Sequence, residues 1–219
     1  MVLEMPEKII DEREITIQGN PGNPTGEAGK QMLQRMNQSH YEVTGWSFNF
    51  LDLNDGYKVL DIGCGGGMTL KRMSELSKDL CLYGLDHSLV AVKETMSLNE
   101  NLIESDKLKV VEGSVDKLPY KNDFFDRAIT VESFYFWPNP VENLKEVLRV
   151  LKPNGKFLLV ADIYEKASLS QRARENIRMF KMLNPTPEEF VSMFKQAGFT
   201  KTEIKTKAQT DWIAVLGIK

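Results

Sequence analysis

A glycine-rich stretch directly after a short apolar run carries the clearest chemical signal in this sequence. The run 59–62 contains a single acid, Asp61. Four residues of the following turn are candidates for contact with a ligand: Gly63, Cys64, Gly65 and Gly67. Because glycine has no Cβ, such a turn lets backbone N–H groups approach a ligand closely. The pattern predicts a strand, a binding loop and a helix, with a nucleotide-like ligand at the carboxyl end of the strand.

A second acid ends the next apolar run. Asp86 closes the run 80–86, and a carboxylate in this place accepts hydrogen bonds from the two hydroxyls of a ribose. The alternative is that Asp86 caps the following helix. A dinucleotide fingerprint, Gly-x-Gly-x-x-Gly, needs a third glycine at position 68, where the sequence has Met68. The spacing therefore disfavours a dinucleotide.

Strands and helices alternate after residue 57, which predicts a parallel sheet covered by helices on both faces. Two final strands are separated by a few residues only and must pair antiparallel. We therefore predict an α/β fold with a doubly wound, mostly parallel seven-stranded sheet and an antiparallel last strand. The expected strands are 57–62, 80–86, 108–112, 125–131, 155–162, 200–206 and 212–217, and the expected helices are 68–78, 88–103, 140–151 and 187–197.

The chain divides by pattern into an N-terminal extension and a sheet domain. Residues 1–25 read as irregular and 26–50 as helical, so 1–52 is expected to form a lid on the domain 53–219. A helical insert is expected at 164–184. Asn139 and Thr186 each precede a proline and a glutamate at the third helical position, so both are expected to cap helices.

Composition excludes several classes of protein. The 219 residues carry a net charge of −3, whereas duplex binders show a basic excess, so no nucleic-acid partner is expected. Cys64 and Cys81 form neither a disulfide framework nor a metal motif, which predicts no metal and a reducing cytoplasm. The charged N-terminus lacks the apolar core of a signal peptide, and no apolar run is long enough to cross a bilayer.

Taken in order, the motifs resemble those of class I S-adenosylmethionine-dependent methyltransferases, specifically the small-molecule type that includes ubiquinone and menaquinone methylases. A reversed last strand is also a feature of that family. The resemblance implies S-adenosylmethionine as the methyl donor and a small, partly apolar molecule as the acceptor. It rests on the ordered stretches 59–67, 84–88, 113–120, 124–131 and 144–155.

The resemblance also implies roles by position. Asp61 would hold the amino group of the methionyl part, the glycines would admit the donor, Asp86 would bind the ribose and His87 would lie beside adenine. Many relatives have Asp after the glycine at 113, whereas this chain has Ser114. Three adenine contacts stay open: Ser114 itself, Asp116, or the backbone of Val115. We favour the pair Ser114 and Val115.

The acceptor is expected beside the aromatic run that follows the fourth strand. Tyr135, Phe136 and Trp137 supply ring faces suited to a cationic sulfonium, and Tyr41 and Trp46 lie in the expected lid. Phenol or enol oxygens benefit from a general base. The candidate catalytic residues are His40, Glu132 and Tyr135.

Two other functions remain open at this level. A non-catalytic protein that binds S-adenosylmethionine would need the same loop, and an NAD-dependent oxidoreductase would need a related one. The glycine spacing and the final hairpin disfavour the oxidoreductase. A homodimer is also an open alternative, because the apolar positions of 1–52 would cover either the pocket or a second subunit.

Overall fold

The computed structural model describes residues 12–77 and 79–219. Its sheet has seven strands in the order β3-β2-β1-β4-β5-β7-β6. The strand β7 runs in the direction opposite to the other six. The prediction of a doubly wound sheet with a reversed last strand is confirmed. The strands are β1 (Lys58–Ile62), β2 (Cys81–Asp86), β3 (Leu108–Glu112), β4 (Phe125–Val131), β5 (Leu151–Ala161), β6 (Lys201–Thr206) and β7 (Ile213–Ile218).

Nine α-helices accompany the sheet in the described ranges, and two short 3-10 turns lie at Phe48–Phe50 and Phe134–Phe136. The helices are α1 (Glu12–Gly19), α2 (Gly26–Ser39), α3 (Tyr41–Ser47), α4 (Met68–Leu76), α5 (Leu89–Leu98), α6 (Glu100–Glu104), α7 (Pro140–Val150), α8 (Gln171–Phe180) and α9 (Pro187–Ala197). The predicted helix 88–103 is thus two helices, because Asn99 interrupts it.

Two local predictions are wrong. Residues 12–19 form α1, where an irregular segment was expected, because α1 packs along α2; residues 1–11 lie outside the described residues. The segment 164–184, expected as a helical insert, contains one helix, α8. The second wrong prediction is the cap at Asn139. Asn139 makes no side-chain cap; its own backbone N–H donates to Asn143 Oδ1 at 3.0 Å. Thr186 does form the expected capping box with Glu189.

The core lies on both faces of the sheet, as period-two alternation requires. On β5, Phe157 and Leu159 face the layer that contains α7 and α9, whereas Leu158 and Val160 face the layer that contains α3 and α4. The strands therefore read as continuous apolar runs, which is typical of parallel sheets covered on both sides. The rigid sheet fixes the carboxyl ends of β1, β2 and β4, and the candidate site lies there.

Candidate active site

A cavity of about 380 Å³ opens at the carboxyl ends of the central strands. Its floor is the glycine loop after β1, and its sides come from the segments after β2, β3 and β4. Helices α2 and α3 and the loop before α2 cover it. The cavity has the size and position of a small-molecule site in an open α/β sheet.

The glycine loop is held in place through its carbonyl groups. Thr95 Oγ1 donates to the Gly65 carbonyl at 2.9 Å, and Asn99 Nδ2 donates to the Gly67 carbonyl at 3.1 Å. Asn37 Nδ2, from α2, donates to the carbonyl of Gly66 at 3.1 Å. Thr95 and Asn99 lie one turn apart on α5, so a single helix face fixes the loop.

Glycine is required at the end of this loop for two reasons. Gly67 has a φ of +80°, a conformation that L side chains rarely adopt. A Cβ there would lie 2.8 Å from Thr95 Cα, which is backbone and cannot move aside. At Gly66, a Cβ would lie 2.6 Å from the amide of Asn37. The loop is therefore packed tightly against α2 and α5.

Asp61 is the unusual group of the site. Its side chain is 1% exposed, and neither carboxylate oxygen has a hydrogen-bond partner within the described chain. Burial, with the nearby charge of Asp86, raises its pKa to about 8. Asp61 lies behind the loop rather than on the cavity wall. A buried carboxyl without partners is costly unless a donor reaches it, so Asp61 suits a ligand that brings a cationic or hydrogen-bonding group.

Asp86 is held between the loop and α5. Its two oxygens accept the N–H groups of Gly65 at 3.0 Å and Ser88 at 2.9 Å. Burial raises its pKa, and these two hydrogen bonds oppose that rise. Ser88, not Asp86, caps α5, since Ser88 Oγ accepts the N–H of Ala91. The alternative role of Asp86 as the helix cap is thereby removed.

The residues expected around an adenine lie on the cavity wall. His87, Ser114 and Val115 all line it, and Val115 is buried. Asp116 does not line it, because Asn143 Nδ2 donates to its carboxylate at 2.8 Å. Ser114 Oγ accepts the N–H of Asp116 at 3.2 Å and therefore closes a turn. This geometry supports Ser114 and Val115 over Asp116.

Cys64 lies within the loop and is 6% exposed. Burial raises the pKa of its thiol well above the usual range, so the sulfur is a neutral packing group. Thr95 Oγ1 approaches it at 3.4 Å. A nucleophilic role is therefore disfavoured.

The other end of the cavity is aromatic in part. Phe136, Trp137 and Tyr41 line it, as the sequence predicts. Trp46 does not; it packs against Phe50 and Trp212 on the covering layer. Tyr135 also turns away from the main cavity and is 4% exposed. Fewer aromatic residues therefore line the cavity than the sequence predicts.

Tyr135 and Glu132 belong to a buried polar cluster with Asp162. The Tyr135 hydroxyl lies 3.1 Å from Glu132 Oε2 and 3.2 Å from Asp162 Oδ1. It also accepts the N–H groups of Asp162 and Ile163, and Asp162 N–H donates to Glu132 Oε1. Burial and the charge of Asp162 raise the pKa of Glu132 well above its usual range.

The backbone at Glu132 is strained as well. Its φ is +56°, a left-handed value that a non-glycine residue adopts at a cost of about 1–3 kcal/mol. The strain turns the side chain from the end of β4 into the cavity, where Glu132 is a wall residue.

His40 completes this end of the cavity. It stands between α2 and α3 and lines the wall. Burial lowers its pKa, which the charge of Asp162 partly opposes and that of Arg35 reinforces. The imidazole is thus mainly neutral near pH 7, the form that accepts a proton.

Sequence reasoning missed several residues of the site. Thr95, Asn99 and Asn37 hold the loop, and Asp162 joins Glu132 and Tyr135. The spacing of Thr95 and Asn99, four apart on the helix that follows Asp86, was a detectable signal. Asn37 and Asp162 gave none, because they are distant in sequence from the residues they contact.

Together, the sheet order and the glycine loop define a Rossmann-like nucleotide-binding fold of the methyltransferase type. A family model described as a methyltransferase domain matches residues 60–159, the stretch from β1 to β5. The chain belongs to the class I S-adenosylmethionine-dependent methyltransferases, whose methyl donor is S-adenosylmethionine.

The chain is 30% identical over 192 residues to the chloroplastic 2-methyl-6-phytyl-1,4-hydroquinone methyltransferase of Arabidopsis thaliana, with 85% of this chain and 48% of the plant protein covered. It is 26% identical to an uncharacterized methyltransferase of Bacillus subtilis, with 74% and 82% covered. A solved phosphoethanolamine N-methyltransferase of Haemonchus contortus superimposes with a TM-score of 0.77 at 12% identity, over 97% of this chain and 61% of that one. The chain thus spans about half the length of the plant relative.

No helix within 12–77 and 79–219 has the length and apolar character needed to span a bilayer.

Proposed function

We propose that this chain transfers the methyl group of S-adenosylmethionine to a hydroxyl-bearing, partly apolar small molecule by in-line displacement. The observation that carries the proposal is a single cavity with two chemically different ends. One end is a glycine loop beside two buried acids, Asp61 and Asp86. The other joins aromatic walls to the polar groups of His40 and Glu132.

The chain's residues fit the donor at the glycine end. Asp61, whose carboxylate has no hydrogen-bond partner among residues 12–77 and 79–219, would hold the donor's ammonium group directly or through a water. Asp86 would accept the ribose hydroxyls, and His87, Ser114 and Val115 would lie along the adenine. Gly63, Cys64, Gly65 and Gly67 would supply the close backbone approach. When bound, the donor supplies a sulfonium-activated methyl group.

The protein's contribution to the transfer is alignment and the removal of a proton. Holding two reactants in line is worth several kcal/mol, up to about 7–11 in ideal cases. Phe136, Trp137 and Tyr41 exclude water around the acceptor. His40, held neutral by burial, accepts the hydroxyl proton, while Glu132 and Tyr135 shape the pocket beside it.

The relative named for a hydroquinone supports a phenolic acceptor. A hydroquinone has an apolar ring and an ionisable hydroxyl, and the acceptor end offers apolar walls and a proton acceptor. The similarity to the phosphoethanolamine N-methyltransferase, at 12% identity, supports the fold and says nothing about the acceptor.

An acceptor panel tests this proposal. Purified protein is incubated with S-adenosylmethionine and with prenylated hydroquinones, simple phenols, terpene alcohols and primary amines, and methylated products are identified by mass. We expect product from the hydroxyl-bearing apolar compounds, and a loss of most turnover in His40→Gln. Turnover of amines alone would contradict the proposal. Donor binding without any product would favour a non-catalytic role, and saturable NADH binding without response to S-adenosylhomocysteine would favour an oxidoreductase.

We propose three further features of the function. Residues 1–52 act as a lid on the domain 53–219, supported by the cover that α2 and α3 form over the cavity. The segment 164–184 contributes to acceptor choice, since Leu183 N–H donates to the Tyr135 carbonyl at 2.9 Å.

A cytoplasmic location is consistent with two free cysteines. Light scattering would decide between monomer and homodimer.

A further inference from the structure

The segment after β5 places a carboxylate behind His40. A ring nitrogen of His40, one oxygen of Glu132 and one oxygen of Asp162 lie within 4.8 Å of one another. His40 and Glu132 line the cavity, whereas Asp162 does not. Asp162 therefore approaches the imidazole from the protein side.

Asp162 is held rigidly in this place. Its N–H donates to Glu132, its carboxylate accepts from the Tyr135 hydroxyl at 3.2 Å, and Tyr135 is anchored in turn by Ile163 N–H at 3.3 Å. Neither ring nitrogen of His40 has a hydrogen bond to any described residue. The imidazole thus has a fixed anion beside it and an open side toward the cavity.

We propose that Asp162 is the positioning residue of His40: it orients the imidazole toward the acceptor and stabilises the imidazolium that forms when the acceptor loses its proton. The inference rests on the proposed function. The acceptor O–H bond breaks, and its proton passes to a ring nitrogen of His40. The oxygen's electron pair forms the new O–CH3 bond while the donor's S–CH3 bond breaks, and the electron pair of that bond stays on the sulfur of the S-adenosylhomocysteine that leaves.

The same atoms could in principle hold a divalent cation, but the hydrogen bonds favour a proton-handling role. Glu132 Oε1 already accepts the N–H of Asp162, and the Tyr135 hydroxyl lies between Glu132 Oε2 at 3.1 Å and Asp162 Oδ1 at 3.2 Å. A metal ligand would have to give up part of this bonding. The pair of His40 and Asp162 needs only a small approach or one bridging water, as is common before a ligand binds.

The charges around His40 set the direction of the expected effect. Asp162 after β5 raises the imidazole's pKa, and Arg35 on α2 lowers it, while Arg35 itself is paired with Glu12 at 3.7 Å. Glu132 after β4 also faces His40, and burial raises the pKa of its carboxyl well above the usual range. Removing the charge of Asp162 therefore lowers the pKa of His40.

Nuclear magnetic resonance on the full chain with S-adenosylhomocysteine tests the proposal without any acceptor. The sequence has only two histidines, so His40 is assigned with a His87→Gln variant. Asp162→Asn should move the His40 titration to lower pH by about one unit, and Asp162→Glu should restore most of it. Asp106→Asn is the matched control, because Asp106 is exposed and lies on another face in a conformation that asparagine tolerates.

Two results would overturn the proposal. One is an unchanged His40 titration in a folded Asp162→Asn protein. The other is selective broadening of the His40 resonance by micromolar Mn²⁺, which would make the cluster a metal site. Where Asp162→Asn does not fold, Asp162→Ser, which also removes the charge, takes its place in the same titration with the same expected shift. Because this readout needs no turnover, an inactive acceptor panel would refute the acceptor class while leaving the dyad measurable.

Discussion

The two ends of the cavity are built in different ways. The donor end is built around one continuous segment: the loop Gly63–Gly67 follows β1, and its carbonyls are held by Thr95 and Asn99, 30 and 32 positions further along the chain. The acceptor end is assembled from distant segments: His40 precedes the sheet, Glu132 follows β4 and Asp162 follows β5. The donor end therefore depends mainly on backbone geometry, and the acceptor end on contacts between side chains.

This difference suits a protein that keeps one donor and changes its acceptor. A backbone cradle tolerates almost no side chain, as the space around Gly66 and Gly67 shows. By contrast, the hydrogen bonds among Glu132, Tyr135 and Asp162 are made by side-chain hydroxyl and carboxyl groups, which a single substitution removes. Substitutions at the two ends should consequently fail in different assays.

The largest effect is expected from Gly67→Ala. Its Cβ would meet the backbone of Thr95 at 2.8 Å, so the loop must move away from α5. We expect the Kd for S-adenosylhomocysteine to rise on the order of 100-fold, about 2.7 kcal/mol. Gly56→Ala is the matched control: Gly56 has nearly the same φ, +79°, but nothing lies within 4 Å of its Cβ. Calorimetry showing equal losses in both variants would mean that conformation alone, not packing, explains the effect.

A smaller effect is expected from Asp86→Asn. An amide cannot accept from both Gly65 and Ser88 while also accepting from a ribose. We expect S-adenosylhomocysteine to bind about tenfold more weakly, whereas the affinity for a 2′,3′-dideoxyribosyl analogue should hardly change. An equal loss for the two compounds would show that Asp86 supports the loop only.

The smallest expected effect is on stability and comes from Tyr135→Phe at the acceptor end. The substitution removes the hydroxyl that accepts the N–H of Ile163 and, together with Glu132, the N–H of Asp162, so it should lower the free energy of unfolding by about 1–2 kcal/mol. Tyr120→Phe is the control, since the buried Tyr120 hydroxyl has no partner in the described chain. Urea unfolding compares the two. A Tyr135→Phe protein as stable as Tyr120→Phe would show that the cluster is not formed in solution.

The sequence predicts the donor end well because its signals are local. A strand, an acid, a glycine turn and a second acid stand in fixed order, and the final pair of strands must be antiparallel for reasons of connection length. The capping box at Thr186 is equally local. Each of these depends on residues that are neighbours in the chain.

The sequence predicts the acceptor end poorly because its contacts are long-range. Asp162 meets Tyr135 across 27 positions, and nothing near Asp162 in sequence marks that contact. Trp46 was expected in the pocket, yet it packs on Trp212, which only the folded sheet brings near. Helix α1 was missed because its pairing with α2, not its own pattern, stabilises it.

Asp61 also predicts a pH dependence of stability. Its pKa is raised to about 8 in the folded protein from an ordinary value of 3.8, so the folded state binds more protons than the unfolded state between these values. The free energy of unfolding should therefore fall as pH rises from about 4 to 8, by at most about 1.4 kcal/mol per pH unit from this group. Asp61→Asn should flatten that slope in urea unfolding at several pH values.

Calorimetric titration with S-adenosylhomocysteine at pH 7, in buffers of different ionisation enthalpy, tests the donor site most directly. Free Asp61 carries its proton at this pH, and the ligand's ammonium group would drive that proton off. We expect the native chain to release close to one proton when the ligand binds. Asp61→Asn should release almost none and should also bind the ligand more weakly. Equal proton release and equal affinity in the two proteins would contradict it.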